Sequence, residues 1–156
     1  MRVYLGSDHA GFELKGELIG WLTEQGHEPI DCGAFGYDDA DDYPPYVIAA
    51  AELAVNDAGS VAVVIGGSGN GEQIAANKVT GARAALCWSE EIASLARQHN
   101  HANVCGLGAR FHDAATAKAI VKAFIGTPVS EEPRHVRRIA QIAAYESFGS
   151  VPPAGE

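Results

Sequence analysis

The chain has 156 residues, 47% hydrophobic and 20% charged, with 20 acidic and 11 basic side chains for a formal net charge of -9. A chain of this length buries roughly two-thirds of its unfolded surface, enough for one compact domain without metals or disulfides, and disorder as the main state is excluded. The acidic excess repels a phosphate backbone, which disfavours nucleic-acid binding, and the longest apolar runs, such as Val61 to Ile65, fall short of the roughly eighteen residues of a membrane span.

Arg2 to Ser7 reads as the first strand, followed by a helix from about Ala10 to Gln25 whose Leu14, Leu18, Trp21 and Leu22 recur at helical spacing. Gly26 ends that helix. The start of the chain lacks the apolar stretch and small-residue cleavage site of a signal peptide, which predicts a cytoplasmic protein. A second strand spans Glu28 to Cys32, and the acidic, proline-containing stretch from Tyr37 to Pro45 is the longest loop. A helix from Pro45 to Asn56 follows, with proline suited to its first turn.

Val61 to Ile65 is continuous, mostly β-branched and apolar, as a central strand covered on both faces should be. It runs into Gly66-Gly67-Ser68-Gly69-Asn70-Gly71 and a helix from Glu72 to about Lys78. Then come a strand at Arg83 to Cys87, a helix at Ser89 to His99, a strand at Asn103 to Leu107 and a helix at Asp113 to Ile125. A last helix, Pro133 to Phe148, has no strand after it, and 149–156 reads as a flexible tail behind one domain over 1–148. This alternation is the α/β class: a Rossmann-like three-layer sandwich, with a five-stranded parallel sheet expected in order 2-1-3-4-5, helices on both faces and an extra C-terminal helix. Cys32, Cys87 and Cys105 are odd in number, widely spaced and without a Cys-x-x-Cys pair, so they read as reduced core residues.

In open parallel sheets ligands bind beyond the carboxyl ends of the strands. Ser7, Asp8 and His9 follow the first strand, the glycine-rich loop the third, and Gly108, Ala109 and Arg110 the fifth. The amides of Gly66 to Gly71 can face a negative atom with no side chains in the way. The spacing is neither a dinucleotide fingerprint nor a Walker loop, and by itself a glycine-rich turn is more often only a turn. Glu72 in the first turn of the next helix has a bland role, satisfying free amides. Beside an anion hole it also suits proton abstraction next to a carbonyl.

Asp8 and His9 read as a helix cap and a surface histidine, or as site residues at a strand end. His99, Asn100 and His101 close a helix, where imidazolium and asparagine are both favoured, and no metal-ligand spacing accompanies them. Arg134, His135, Arg137 and Arg138 form the densest basic cluster in an acidic chain. A solvated face is the default for such a cluster; three arginines within five residues also suit one phosphate group.

Several long motifs in order carry a resemblance: Gly6-Ser7-Asp8-His9-Ala10-Gly11, Gly67 through Lys78, Arg97-Gln98-His99-Asn100, and Arg134 through Ile139. Over nearly its whole length the chain resembles the type B ribose-5-phosphate isomerases, in the wider family with the galactose-6-phosphate isomerase subunits. Many members carry a cysteine base directly before the glycine loop, where this chain has Gly66. The resemblance to the branch with glutamate at the position of Glu72 implies that Glu72 is the base.

It further implies interconversion of ribose 5-phosphate and ribulose 5-phosphate through a cis-enediolate, with no metal or organic cofactor. Gly67, Gly69, Asn70 and Gly71 would stabilise the oxyanion and Ser68 would assist proton exchange between O1 and O2. His99, with Asp8 nearby, would open the sugar ring, and Asn100 would bind the enediolate or a hydroxyl. His9, Arg110, Arg134, His135 and Arg138 would contact the phosphate end, and Tyr43 would line the sugar pocket. The family site lies between two subunits, which implies a homodimer or a tetramer and accounts for the unpaired last helix. The rivals are a hexose-6-phosphate isomerase (allose or galactose 6-phosphate), and a non-catalytic sugar-phosphate-binding regulator, which would need none of Glu72, Ser68 and His99.

Overall fold

A computed structural model describes residues 1–152. Five strands, β1 (Arg2–Ser7), β2 (Glu28–Asp31), β3 (Val61–Gly66), β4 (Ala84–Leu86) and β5 (Val104–Gly108), form one all-parallel sheet. Helices α1 (Phe12–Glu24), α2 (Pro44–Asn56), α3 (Asn70–Ala76), α4 (Glu90–Asn100), α5 (Ala114–Gly126) and α6 (Pro133–Phe148) connect and follow the strands, with a single 3-10 turn at His9–Gly11. The α/β class, the five strands and the extra C-terminal helix are as expected. Of the tail, 153–156 lies outside the described residues.

The strand order differs from the expected 2-1-3-4-5. It is β2-β1-β3-β5-β4, so β5 enters between β3 and β4. Burial explains the exchange. Val104–Gly108 is buried throughout, which suits an inner position, whereas Ala84–Leu86 is short and only half-buried, as an edge strand is. The outer edge of β4 is closed by a side chain: Asn77 accepts from the Ala84 amide through Oδ1 (2.8 Å) and donates to the Ala84 carbonyl through Nδ2 (2.9 Å). Gln73 Nε2 donates to the same carbonyl at 3.1 Å.

Alternation along the central strand divides the core into two layers. Val61, Val63 and Ile65 pack with Leu14, Leu18 and Leu22 of α1 and with Ile120, Val121 and Phe124 of α5. Ala62 and Val64 pack with Val47, Ala50, Ala51 and Ala54 of α2 and Ala76 of α3. These helices present the apolar stripes their spacing requires. Helix α6 does not: among its residues only His135 is buried, and Val136, Ile142, Tyr145 and Phe148 stand in solvent.

Lys15 lies between Leu14 and Leu18 on the buried side of α1 and is 2% exposed. Its Nζ donates to Asp31 Oδ1 at 2.5 Å and to the Ala34 carbonyl at 2.6 Å. Asp31 Oδ1 also accepts from the Gly33 amide, and the segment extends the sheet pairing, with Ser7 donating to the Gly33 carbonyl and Ala34 to that of Ser7. The buried ammonium thereby pins the segment after β2 against the end of β1, where Asp8 and His9 begin. No described helix is long and apolar enough to cross a membrane.

Candidate active site

The carboxyl ends of β1, β3 and β5 converge as the parallel topology requires. Asp8 is buried and caps the turn after β1, its Oδ1 accepting from the amides of Ala10 (3.0 Å) and Gly11 (3.3 Å). The capping role read from sequence is therefore real, and it fixes the carboxylate at the strand end. The loop after β3 begins at Gly66 and turns through Gly69, whose φ of 79° is the left-handed conformation glycine adopts freely. Helix α3 starts at Asn70, two residues earlier than the expected Glu72, so Glu72 sits inside its first turn.

Glu72 is 4% exposed, and its carboxyl group lies where the side chain of residue 66 would be: a Cβ built on Gly66 would fall within it. The absence of a side chain at 66 and the inward course of Glu72 are one arrangement. Burial pushes the Glu72 carboxyl above the usual carboxylate range and the neighbouring Asp8 charge adds to this, while the amides of Glu72 and Gly69 pull it back. A carboxylate so placed is, once ionised, a stronger base than an exposed glutamate, and the amides beside it favour the ionised form.

Other predicted residues close around the loop. The Tyr43 ring lies against Gly71, with its hydroxyl 2.5 Å from where a Cβ would stand. The Arg110 guanidinium covers Gly67 at 3.3 Å from the corresponding point, and its backbone amide donates to the Gly67 carbonyl. Ser68 is exposed and accepts from Asn70 through both amide N (3.3 Å) and Nδ2 (3.2 Å), which orients its hydroxyl at the mouth of the loop. His9 stands beside this group with its Nδ1 on Asp41 Oδ1 at 2.8 Å.

The second set of predicted residues is elsewhere in the chain. His99 and Asn100 end α4, and Asn103, three residues beyond and just before β5, accepts from the Ala62 amide at the start of β3, so they sit at the amino edge of the sheet. His99 stacks on His135 with ring centroids 4.3 Å apart, and Arg134 and Arg138 lie on the same exposed end of α6. The expectation that His99 has Asp8 nearby is thus not met within one chain. Parallel strands place the two residues at opposite ends of the sheet, a separation on the order of 17 Å for strands of this length.

His135, expected at the phosphate end, lies buried beneath His99 within the single chain. It is 5% exposed, with Nδ1 3.0 Å from Ser130 Oγ, and burial together with the adjacent His99 holds its pKa below the ordinary histidine value. The turn that carries His99 and Asn100 is itself braced. Arg83 donates to the Asn100 and His101 carbonyls, and Arg97 to that of Ala102 at 2.6 Å.

Cys87 and Cys105 are buried, as predicted, and Cys32 is half-buried with its thiol pushed up to about 11 by burial; all three are free. Asp41, Lys15 and Ser130 are participants the sequence reading missed. Asp8, His9 and Asp41 offer one donor atom each within 4.8 Å of one another, the one such trio among the described residues. One oxygen of each carboxylate is engaged: Asp8 Oδ1 holds two amides, and Asp41 Oδ1 holds the His9 amide and ring Nδ1. The trio is built as a hydrogen-bonded brace.

A buried carboxylate beside an amide-rich loop, with cations at its rim, on an open parallel sheet, defines an α/β enzyme equipped to move a proton next to an oxyanion. A sequence profile described as Ribose/Galactose Isomerase matches residues 3–142. Ribose-5-phosphate isomerase B of Mycolicibacterium paratuberculosis is 61% identical over 98% of this chain and 96% of that protein. The protein of the same name in Escherichia coli is 40% identical over 93% of this chain and 96% of its own. Among solved structures, ribose-5-phosphate isomerase B of Mycoplasma genitalium with bound ribulose-5-phosphate superposes with a TM-score of 0.89, at 37% identity, over 94% of this chain and 97% of that one. The chain belongs to the ribose/galactose isomerase family.

Proposed function

We propose that the chain interconverts D-ribose 5-phosphate and D-ribulose 5-phosphate through a cis-enediolate. The observation that carries this reading is the Glu72 carboxyl group, buried over Gly66 at the head of the amide-lined loop. Glu72 removes the proton from C2 and returns it to C1; the transfer is redox-neutral and needs no electron acceptor. The amides of Gly67, Gly69, Asn70 and Gly71 hold the developing oxyanion, a kind of contact worth on the order of 3 kcal/mol per donor in other enzymes. Ser68 passes a proton between O1 and O2. Tyr43 walls the sugar, and His9 and Arg110 take the phosphate. The relative with ribulose-5-phosphate bound supports the pentose over the hexose substrate.

An assay with ribose 5-phosphate in heavy water tests this. Deuterium should appear at C2 of recovered aldose as ketose forms. A large preference for a hexose 6-phosphate, or an unlabelled C2 without ketose, would overturn the reading.

The site is completed by a second copy of the chain. His99 and Asn100, with Arg134 and Arg138, belong to the same site as Glu72, yet they lie a sheet's length away, farther than a pentose phosphate extends. The exposed apolar side of α6, and a groove of about 560 Å³ lined by Asn100, Ile142 and Tyr145 among others, support the pairing. In the assembled site His99 opens the furanose ring, while Arg134 and Arg138 add guanidinium donors to the phosphate.

Mixing two inactive variants, Glu72→Gln and His99→Ala, and allowing subunits to exchange should restore roughly a quarter of wild-type activity, since half the dimers are mixed and each holds one intact site. No restoration after demonstrated exchange would show that each chain works alone. The three free cysteines support a reducing, cytoplasmic location.

A further inference from the structure

We infer that Asp41 is a positioning residue for the phosphate end of the site, holding His9 in the orientation and charge state that bind a phosphate group. The inference rests on the assignment of His9 to that end. One carboxylate oxygen does both jobs: Asp41 Oδ1 accepts from the His9 backbone amide at 2.9 Å and meets the ring Nδ1 at 2.8 Å. The ring is thereby tied at two points. The Asp41 side chain is only 6% exposed, and its Oδ2 is buried with no hydrogen-bond partner among the described residues. A desolvated carboxylate of this kind demands a cation beside it, and His9 is the group in contact.

The proton inventory follows from that contact. Facing a carboxylate, Nδ1 must carry hydrogen, which leaves Nε2 for a ligand. In neutral His9 Nε2 is an acceptor and repels a phosphate oxygen; in the cation it is a donor and binds one. Asp41 therefore decides whether His9 can serve. The groups facing the ring are Asp8 and Asp41, which favour the cation, Arg110, which opposes it, and the edge of Tyr37, with ring centroids 6.4 Å apart. The hydrogen bond to Asp41 is the largest of these influences, and the histidine is held above its ordinary value. Asp8 has its Oδ1 committed to the Ala10 and Gly11 amides, so it acts through charge alone.

The sign of the effect gives the test. His9 remains cationic below its raised pKa, so in the unaltered protein phosphate binding persists to higher pH than an ordinary histidine allows, then weakens. In Asp41→Asn the cation is lost at lower pH. Dissociation constants for inorganic phosphate, measured on the full chain at pH 6 and at the pH midway between the two proteins' His9 titration midpoints, should differ little at pH 6, whereas at the higher pH the variant should bind more weakly, by up to roughly five- to tenfold, the scale of one charge-assisted hydrogen bond. KM for ribose 5-phosphate should follow the same pattern with kcat nearly constant.

The His9 ring resonance, followed by NMR in the free protein, should titrate at lower pH in the variant. In a His9→Asn background, Asp41→Asn should add no further loss. A variant defect equal at both pH values, an unmoved His9 titration, or additive losses would each overturn the inference. If the amide at 41 disrupts the loop, the unaltered protein still decides, because a His9 titrating at or below the ordinary range is incompatible with the brace. Phosphate binding and ring titration require no turnover, so absent isomerase activity would count against the pentose phosphate reading and leave this one standing.

Discussion

Glu72→Gln should lower kcat for pentose phosphate isomerisation by a factor of about 10³ while inorganic phosphate binds as in the parent, because the amide keeps the shape of the carboxylate and loses its basicity. The side chain is buried and occupies the space that a side chain at 66 would otherwise take, so no solvent-exposed carboxylate can replace it there. Burial and Asp8 raise the Glu72 pKa, and in the proposed reaction the base is the ionised form. Activity of the parent should accordingly fall as pH drops through that raised value, with the acid limb of kcat/KM lying above the ordinary glutamate range. Single-turnover kinetics with deuterium at C2 separates proton transfer from ring opening. Near-normal turnover in the variant would remove Glu72 from the chemistry.

Lys15→Ala should have the largest effect on stability. Truncation removes the donor to Asp31 and Ala34 and leaves a void between Phe12 and the segment after β2. Breaking a buried ion pair costs about 3–5 kcal/mol, and the lower end applies here because the Asp31 side chain, 38% exposed, regains water. For a chain of this size that is a fall in Tm of roughly 6–12 °C. Calorimetry measures it directly. Because the same lysine pins the chain that leads into the Asp41 loop, the variant should also lose phosphate affinity below its melting range. An unchanged Tm would mean that the ammonium contributes nothing net to the fold.

Those two residues mark the limits of what the sequence discloses. The place of Glu72 at the head of the loop is legible because the apolar run Val61 to Ile65, the glycines and the carboxylate are contiguous, and each constrains the next. The apolar stripes of α1 and α5 were legible for the same local reason. Lys15 was not, since a lysine in an amphipathic helix is ordinarily read as solvent-facing and its partners lie 16 and 19 residues away. Asp41 is one of four aspartates between Tyr37 and Tyr43, and no local pattern separates it from the exposed Asp38, Asp39 and Asp42. The exchange of β4 and β5 depends on which strand better tolerates an edge, a comparison between distant segments. The stacking of His99 on His135 likewise joins two helices 36 positions apart in sequence. No local pattern announces that His135 lies beneath His99.

The amide that Asn77 lays along Ala84 has a consequence for how copies of the chain can meet. A side chain that imitates one residue of a neighbouring strand occupies the hydrogen-bonding groups at that point of β4, leaving an incoming strand no continuous ladder to join. Any self-association is thereby steered toward contacts between side-chain surfaces, which can close as a symmetric pair, and away from the open-ended stacking of sheets that grows into fibres.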